Sequence, residues 1–202
     1  PIRHIPHFLP QSEVDDAPDS GPPRERPYFL FVGRLEKIKG VQVLIDTFRD
    51  YHQADLVIAG RGNYEATLRE MAADLSHVHF LGMIGHEVLR RYFRGALATL
   101  VPSICYESFG MTIIESFTMR TPAIVHNLGA LPEVVKDGGG LTYDTPEELV
   151  RALEIMRTQP DFRNQLGEQG YQLYMSHYSE TRHLNSYYDL IAEMKTMREG
   201  IQ

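Results

Sequence analysis

The 202-residue sequence contains no tryptophan and only one cysteine, Cys105. A single cysteine excludes an internal disulfide framework and fits a reducing compartment, so we expect a cytoplasmic protein. No apolar run approaches the roughly 18 residues that a membrane span needs, and no basic segment followed by an apolar one opens the chain. A signal peptide is therefore not predicted, and membrane contact is not evident. The first residue is Pro1, which leaves two interpretations: a processed chain or a piece of a longer protein.

Positive charge is also scarce, because 20 Lys and Arg residues stand against 27 Asp and Glu residues, for a formal net charge of -7. A protein that binds nucleic acid through a broad phosphate footprint usually carries the opposite balance, so nucleic acid is not an expected partner. Any phosphate that this protein binds is expected to be held locally, by a few cations and backbone amides.

What the sequence does contain, from Tyr28 onwards, is an alternation of short apolar runs with helical patterns. Apolar residues recur at helical spacing after the first run and again near 112–119, and the chain after Thr145 is predicted to be helical. Strands that are apolar throughout and separated by helices predict an α/β Rossmann-like doubly wound parallel sheet with helices on both faces. The predicted strands are 28–32, 55–59, 78–81, 96–101, 122–125 and 140–143. Residues 1–27 hold seven of the twelve prolines and are predicted to be a linker or a poorly ordered segment.

The carboxyl ends of these strands are the expected place for a ligand. GRLEKIKG follows the first strand and brings Arg34 and Lys39 to this edge. Arginine can pair with two phosphate oxygens and lysine acts as a mobile point charge, although surface cations are more often simply solvated. AGRGNYE follows the second strand and is an incomplete G-x-G-x-x-G with Glu65 at the third glycine position. A plain tight turn at Gly60 is favoured over a nicotinamide dinucleotide site, and contact of its amides with a ligand is left open.

The segment PSICYESFGMTIIESF combines several groups that bind polar ligands. Seven residues separate Glu107 from Glu115, and Gly110 between them allows the backbone to approach a ligand closely. The helix that follows Gly110 directs free amides at the same place, which suits an anion. One motif therefore offers amides for a phosphate and two carboxylates for sugar hydroxyls.

Other interpretations of these residues remain open. Glu107 and Glu115 form a possible glycosidase pair, which would leave the two cations without a role. Cys105 near His126 suggests a cysteine nucleophile, but a lone cysteine beside a strand is usually a small apolar residue. His77 and His79 lie on one predicted strand without a third ligand, so no zinc site is expected.

Taken together, Gly33-Arg34-Leu35 through Lys39-Gly40, the E-x7-E of Glu107 and Glu115, and the trailing GGGLTYDTPEELVRAL resemble the retaining glycosyltransferases with the GT-B fold, of the group 1 or family 4 type. The resemblance extends from residue 28 to about residue 158. It implies one half of a GT-B fold, with a nucleotide-diphosphate sugar as donor substrate and no separate cofactor or metal.

The resemblance also implies roles for individual residues. The catalytic group would be Arg34 and Lys39, which neutralise the diphosphate leaving group, and Glu107, which holds hydroxyls of the donor sugar. Glu115 would accept hydrogen bonds from the ribose. The resemblance further implies that the backbone near Leu81 to Ile84 borders the base, and that the amides of Gly110, Met111 and Thr112 hold the distal phosphate and the sugar. Gly33 and Gly60, at the ends of the first two strands, are expected to be further donor-binding positions.

The resemblance finally implies different roles for two parts of the chain. Residues 28–176 would bind the nucleotide sugar, and 177–202 would form a C-terminal helix that packs toward an N-terminal acceptor domain absent from this sequence. We therefore expect this chain to be one half of a hexosyltransferase and to be inactive without the other half. The alternatives are a non-catalytic nucleotide-binding or interaction module, a sugar-nucleotide epimerase and, last, an NAD-dependent dehydrogenase.

Overall fold

The computed structural model describes residues 3–10, 21 and 23–199 of the chain. Within them a parallel sheet of six strands has the order β3-β2-β1-β4-β5-β6. The strands are β1 Tyr28–Val32, β2 Asp55–Ala59, β3 Val78–Gly82, β4 Thr99–Val101, β5 Ala123–His126 and β6 Gly140–Tyr143. The order reverses between β1 and β4, so the sheet has its topological switch point at that pair of neighbours.

Helices connect the strands and continue beyond the last one. They are α1 Val41–Asp50, α2 Glu65–Met71, α3 His86–Gly95, α4 Met111–Thr118, α5 Leu131–Val135, α6 Pro146–Thr158, α7 Pro160–Leu173 and α8 Glu180–Glu199. A short 3-10 turn, Lys37–Lys39, precedes α1, and a π-helical turn, Tyr174–Tyr178, joins α7 to α8.

Both faces of the sheet are covered because side chains of a strand alternate between them. Phe29 and Phe31 of β1 share one buried cluster with α1, α2 and α6. Tyr28 and Leu30 of the same strand face the opposite side, in a second cluster with α3, and on that same side residues of β4 and β5 pack against α4 and α5. The fold is therefore the doubly wound, Rossmann-like sheet that the alternation of apolar runs predicts.

Differences from the sequence-based prediction are confined to the ends of elements. The fourth strand is shorter than predicted, because 96–98 form the approach to β4 rather than part of it, and the fifth is displaced by one residue. The helix predicted near 112–119 begins at Met111. The ends of strands and helices are defined by backbone hydrogen bonds. The sequence pattern indicates only which residues are apolar, so it does not locate these ends.

The first described residues pack against the far end of the chain. Leu9 is buried and its backbone N–H donates to the carbonyl oxygen of Tyr178. His183 of α8 lies with Nδ1 2.8 Å from the carbonyl oxygen of Pro6. The predicted linker over 11–20 and 22 lies outside the described residues. Among those that are described, no helix is both long enough and apolar enough to cross a membrane.

Candidate functional site

A cavity of about 290 Å³ opens at the switch point of the sheet. It lies beyond the carboxyl ends of β1 and β4, where ligands of open α/β sheets bind. Seven of the residues predicted from the sequence line it: Gly33, Arg34, Lys39, Glu107, Gly110, Met111 and Thr112. His7, Ser103, Ser108 and Phe109 also line it, together with apolar residues of β1 and β4. The structure thus brings together the segment after β1 and the E-x7-E segment.

These two segments are held in backbone contact. The N–H of Ile104 donates to the carbonyl oxygen of Ile38 over 2.9 Å. Gly40 has a φ of +75°, and a Cβ at this position would lie 1.9 Å from the carbonyl oxygen of Pro102. Only glycine therefore permits this approach, which places Lys39 beside the segment after β4.

Lys39, Glu107 and Ser103 form the central polar group of the cavity. Lys39 Nζ and Ser103 Oγ each donate to Glu107 Oε1 over 2.6 Å. The side chains of Lys39 and Glu107 are only 21% and 18% exposed, so solvent screens the pair less than it screens a surface ion pair. Because both bonds end on Oε1, the second carboxylate oxygen of Glu107 takes part in neither.

This arrangement keeps Glu107 ionised. Burial alone would raise the pKa of Glu107, but the hydrogen bonds from Lys39 and Ser103, together with the charges of Lys39 and Arg34, outweigh it and lower the pKa below its ordinary value. An ionised carboxylate accepts hydrogen bonds and donates none, which suits it to hydroxyl groups of a ligand.

Arg34 supplies a second cation at the mouth of the cavity. Its side chain is 72% exposed, and Nη1 lies 2.9 Å from Oε1 of Glu36. An exposed pair of this kind contributes little to stability, so it costs little for the guanidinium to exchange Glu36 for another anion.

The N-terminal end of α4 closes the cavity on another side. Gly110 precedes the helix and has no side chain to cap it, and Met111 and Thr112 at the first turn line the cavity. The first amides of a helix lack intrahelical partners and carry a partial positive charge. Together with Lys39 and Arg34, they provide the cavity with several groups that can bind an anion.

Four predicted residues lie outside this cavity. Glu115 lines a separate narrow crevice with residues of α3 that include His86 and Arg90. Leu81 of β3 packs against a buried cluster of the sheet, and Ile84 lies half-buried in the loop after β3. A Cβ on Gly60 would lie 1.9 Å from the carbonyl oxygen of Gly33, so Gly60 packs behind the cavity wall. The roles of these four residues stay predictions.

Sequence reasoning assigned no role to four residues that line the cavity, His7, Ser103, Ser108 and Phe109. Ser103 lies four residues before Glu107 in a loop, and no local pattern indicates that its hydroxyl donates to that carboxylate. His7 gave no signal either, because it lies in a proline-rich segment that carries no pattern. His126 supports Ser103, since its Nδ1 lies 2.8 Å from the Ser103 carbonyl oxygen and its ring stacks on Tyr143.

The histidines considered for a metal site have other neighbours. Nε2 of His77 lies 2.8 Å from the carbonyl oxygen of Phe48. Nε2 of His79 lies 3.0 Å from Oδ2 of the buried Asp55, at the end of the sheet opposite the cavity. Within residues 3–10, 21 and 23–199 no group of three or more His, Cys, Asp or Glu side chains is placed to hold a metal ion.

A Rossmann-like sheet with a cation-lined cavity at its switch point belongs to the class of α/β domains that bind ligands at their strand ends. The model of the family described as glycosyl transferases group 1 matches residues 13–173. The chain belongs to this family.

Individual relatives agree with this assignment. The chain is 29% identical over 182 residues to D-inositol 3-phosphate glycosyltransferase of Thermobifida fusca, covering 81% of this chain and 42% of that one. The C-terminal domain of the group 1 protein LpcC from Francisella tularensis superposes with a TM-score of 0.66 at 20% identity, covering 87% of this chain and 96% of that domain.

Anabaena HepE in complex with UDP and glucose superposes with a TM-score of 0.75 at 16% identity, covering 83% of this chain and 48% of that chain. The chain therefore spans less than half the length of HepE and of the Thermobifida relative. At such identities these structures show the shared fold, in which this chain corresponds to one half of the two-domain GT-B architecture.

Proposed function

We propose that this chain is the nucleotide-sugar-binding half of a retaining glycosyltransferase, which transfers a hexosyl group to an acceptor held by a domain outside this sequence. The observation that carries the proposal is the cavity in which Lys39, Arg34 and the start of α4 surround the ionised Glu107. The complex of the structurally similar HepE with UDP and glucose supports a nucleoside diphosphate sugar as the donor.

Each group has a chemical task in this proposal. The distal phosphates would lie against the first amides of α4 with Lys39 and Arg34 on their oxygens, because these groups complement their negative charge. The same groups would stabilise the charge that develops on the diphosphate as it leaves the sugar. The free oxygen of Glu107 would accept a hydrogen bond from a sugar hydroxyl and so orient the sugar. Glu115 would reach the ribose, with Leu81 and Ile84 near the base.

The division into domains belongs to the same proposal. Residues 28–176 would bind the donor, and the helix after 177 would pack on the acceptor domain. Large apolar side chains of α8 are exposed, and they include Leu184, Tyr187, Tyr188 and Met194. Their burial against a partner domain would remove apolar surface from water. A cytoplasmic location, consistent with the lone Cys105, completes the proposal.

Calorimetry on this chain with UDP, GDP and ADP, and with their hexose derivatives, tests the proposal. We expect one base to be preferred, with a dissociation constant between micromolar and millimolar, and little or no sugar transfer by this chain alone. A folded sample that binds none of these compounds would contradict the proposal. Unchanged binding by Lys39→Ala and Glu115→Ala variants would instead favour a non-catalytic module.

A further inference from the structure

We propose that His7 is a further donor-binding residue, whose imidazole N–H donates a hydrogen bond to a phosphate oxygen of the nucleotide. This inference rests on the proposed function and adds to it a residue from outside the domain that the strands build. The segment that contains His7 precedes the sheet in the chain, and nothing in its sequence pattern indicates a ligand.

The first observation is the place of His7. Its side chain lines the same cavity as Arg34, Lys39 and Glu107. Its ring lies edge-on to that of Phe109, with the ring centres 5.4 Å apart. Phe109 immediately precedes Gly110, so the imidazole lies next to the residues that begin α4. His7 thus stands at the part of the cavity where the helix amides favour an anion.

The second observation is that the imidazole of His7 makes no hydrogen bond within the described parts of the chain. Across the described parts of the chain, neither ring nitrogen of His7 has a hydrogen-bond partner, and the side chain is exposed to the cavity. A neutral imidazole carries one N–H donor and one acceptor nitrogen, and a protonated one carries two donors. In either form it can donate to a phosphate oxygen.

The third observation is that the backbone on the C-terminal side of His7 is fixed. Phe8 packs on the ring of His183 with the centres 4.4 Å apart, and Leu9 is 3% exposed in the cluster that contains α4. A ligating side chain on an anchored segment loses less conformational entropy on binding than one on a free segment. The anchoring by Leu9 does not depend on the imidazole, so substitutions of His7 are expected to leave the fold intact.

The test compares His7→Phe with wild type, using whichever of UDP, GDP and ADP the wild-type chain binds best. Phenylalanine keeps a ring for the contact with Phe109 but has no N–H. We expect the dissociation constant to rise about tenfold, which corresponds to the loss of one hydrogen bond to a charged group. His7→Asn, which restores an N–H donor, is expected to recover part of the affinity. The matched control is His4→Ala, because His4 lies in the same segment but lines a different cavity.

The outcomes separate this inference from the proposed function. Weakened binding by His7→Phe with unchanged binding by His4→Ala, at equal thermal unfolding midpoints, supports the inference. Wild-type affinity in both His7→Phe and His7→Ala overturns it and leaves the proposed function standing. Equal losses in the His7 and His4 variants also overturn it, because they indicate a general effect of the segment. A wild-type chain that binds no nucleoside diphosphate overturns both.

Discussion

Replacing Lys39 by methionine is expected to remove most of the diphosphate affinity of the cavity at little cost in stability. Methionine keeps an apolar chain of similar length and removes the ammonium group, with its charge and its N–H donors. Two unit charges 4 Å apart attract each other by about 4 kcal/mol at an effective dielectric constant of about 20. Because Lys39 is 21% exposed and salt screens the pair, we take about half of this value. A loss of about 2 kcal/mol predicts about 30-fold weaker binding.

The stability cost is expected to be smaller, because Ser103 still donates to Glu107 when Lys39 is gone. The substitution removes one partly exposed hydrogen bond between charged groups, and we expect this loss to lower the free energy of unfolding by about 1 kcal/mol. In a chain of this length such a change lowers the melting temperature by about 2–4 °C. Calorimetric titration with the preferred nucleoside diphosphate and thermal unfolding would measure the two effects on the same samples.

Lys37→Met is the matched control, because Lys37 lies in the same 3-10 turn but is exposed and does not line the cavity. We expect this variant to bind within about twofold of wild type, and we expect its affinity to respond to added salt as the wild type does. Equal losses in the two variants would refute the reasoning, since the effect would then be one of net charge. Unchanged affinity in Lys39→Met would refute it as well.

Three further predictions concern the residues that support this site. Ser103→Ala removes a 2.6 Å hydrogen bond to Glu107. We therefore expect several-fold weaker binding of the nucleotide sugar and a pKa of Glu107 higher than in wild type. Carboxyl NMR titration measures this pKa, and an unchanged value would contradict the prediction. The pKa of Glu107 is lowered in the folded chain from its ordinary 4.5, so its stabilising contribution exists above about pH 4.5 and is lost as the pH falls through the lower folded pKa. Between pH 3 and 6, the free energy of unfolding measured with urea is expected to depend less steeply on pH for Glu107→Gln than for wild type. Identical slopes would contradict this prediction. Gly40→Ala places a Cβ 1.9 Å from the Pro102 carbonyl oxygen and is expected to cost at least about 2 kcal/mol of unfolding free energy. Gly85→Ala is the control, because a Cβ at Gly85 has no atom within 4 Å. Its free energy of unfolding is expected to stay within about 1 kcal/mol of wild type. Equal losses of stability in the two variants would show that close packing at Gly40 is not the cause of the destabilisation.

Much of the fold was predictable because it depends on local pattern. Each apolar run is bounded by glycine, proline or polar residues, and a run that is apolar on both faces requires cover on both faces. The charged and glycine-containing motifs follow directly after the runs, so their position at the carboxyl ends of the strands could also be predicted. The pattern places Arg34, Lys39 and Glu107 at this edge, and in the structure all three line one cavity.

The remaining parts of the site depend on contacts between distant segments. Lys39 and Glu107 are 68 positions apart in the sequence and meet only because β1 and β4 are neighbours in the sheet. No local pattern specifies that order, so neither the ion pair nor the contribution of Ser103 could be derived from the residues alone. The same holds for Glu115, whose helix directs it into a crevice beside α3 rather than into the cavity.

The sequence by itself therefore determined the class of fold, the edge of the sheet at which the cavity opens and the charged residues that lie there. The tertiary structure alone decided which of those residues share one cavity, which oxygen of Glu107 is already bonded and that His7 joins the site. The physical reason is that hydrophobic periodicity and glycine positions act over a few residues. Strand order and the docking of residues 3–10 on α8 instead arise from packing between segments far apart in the chain.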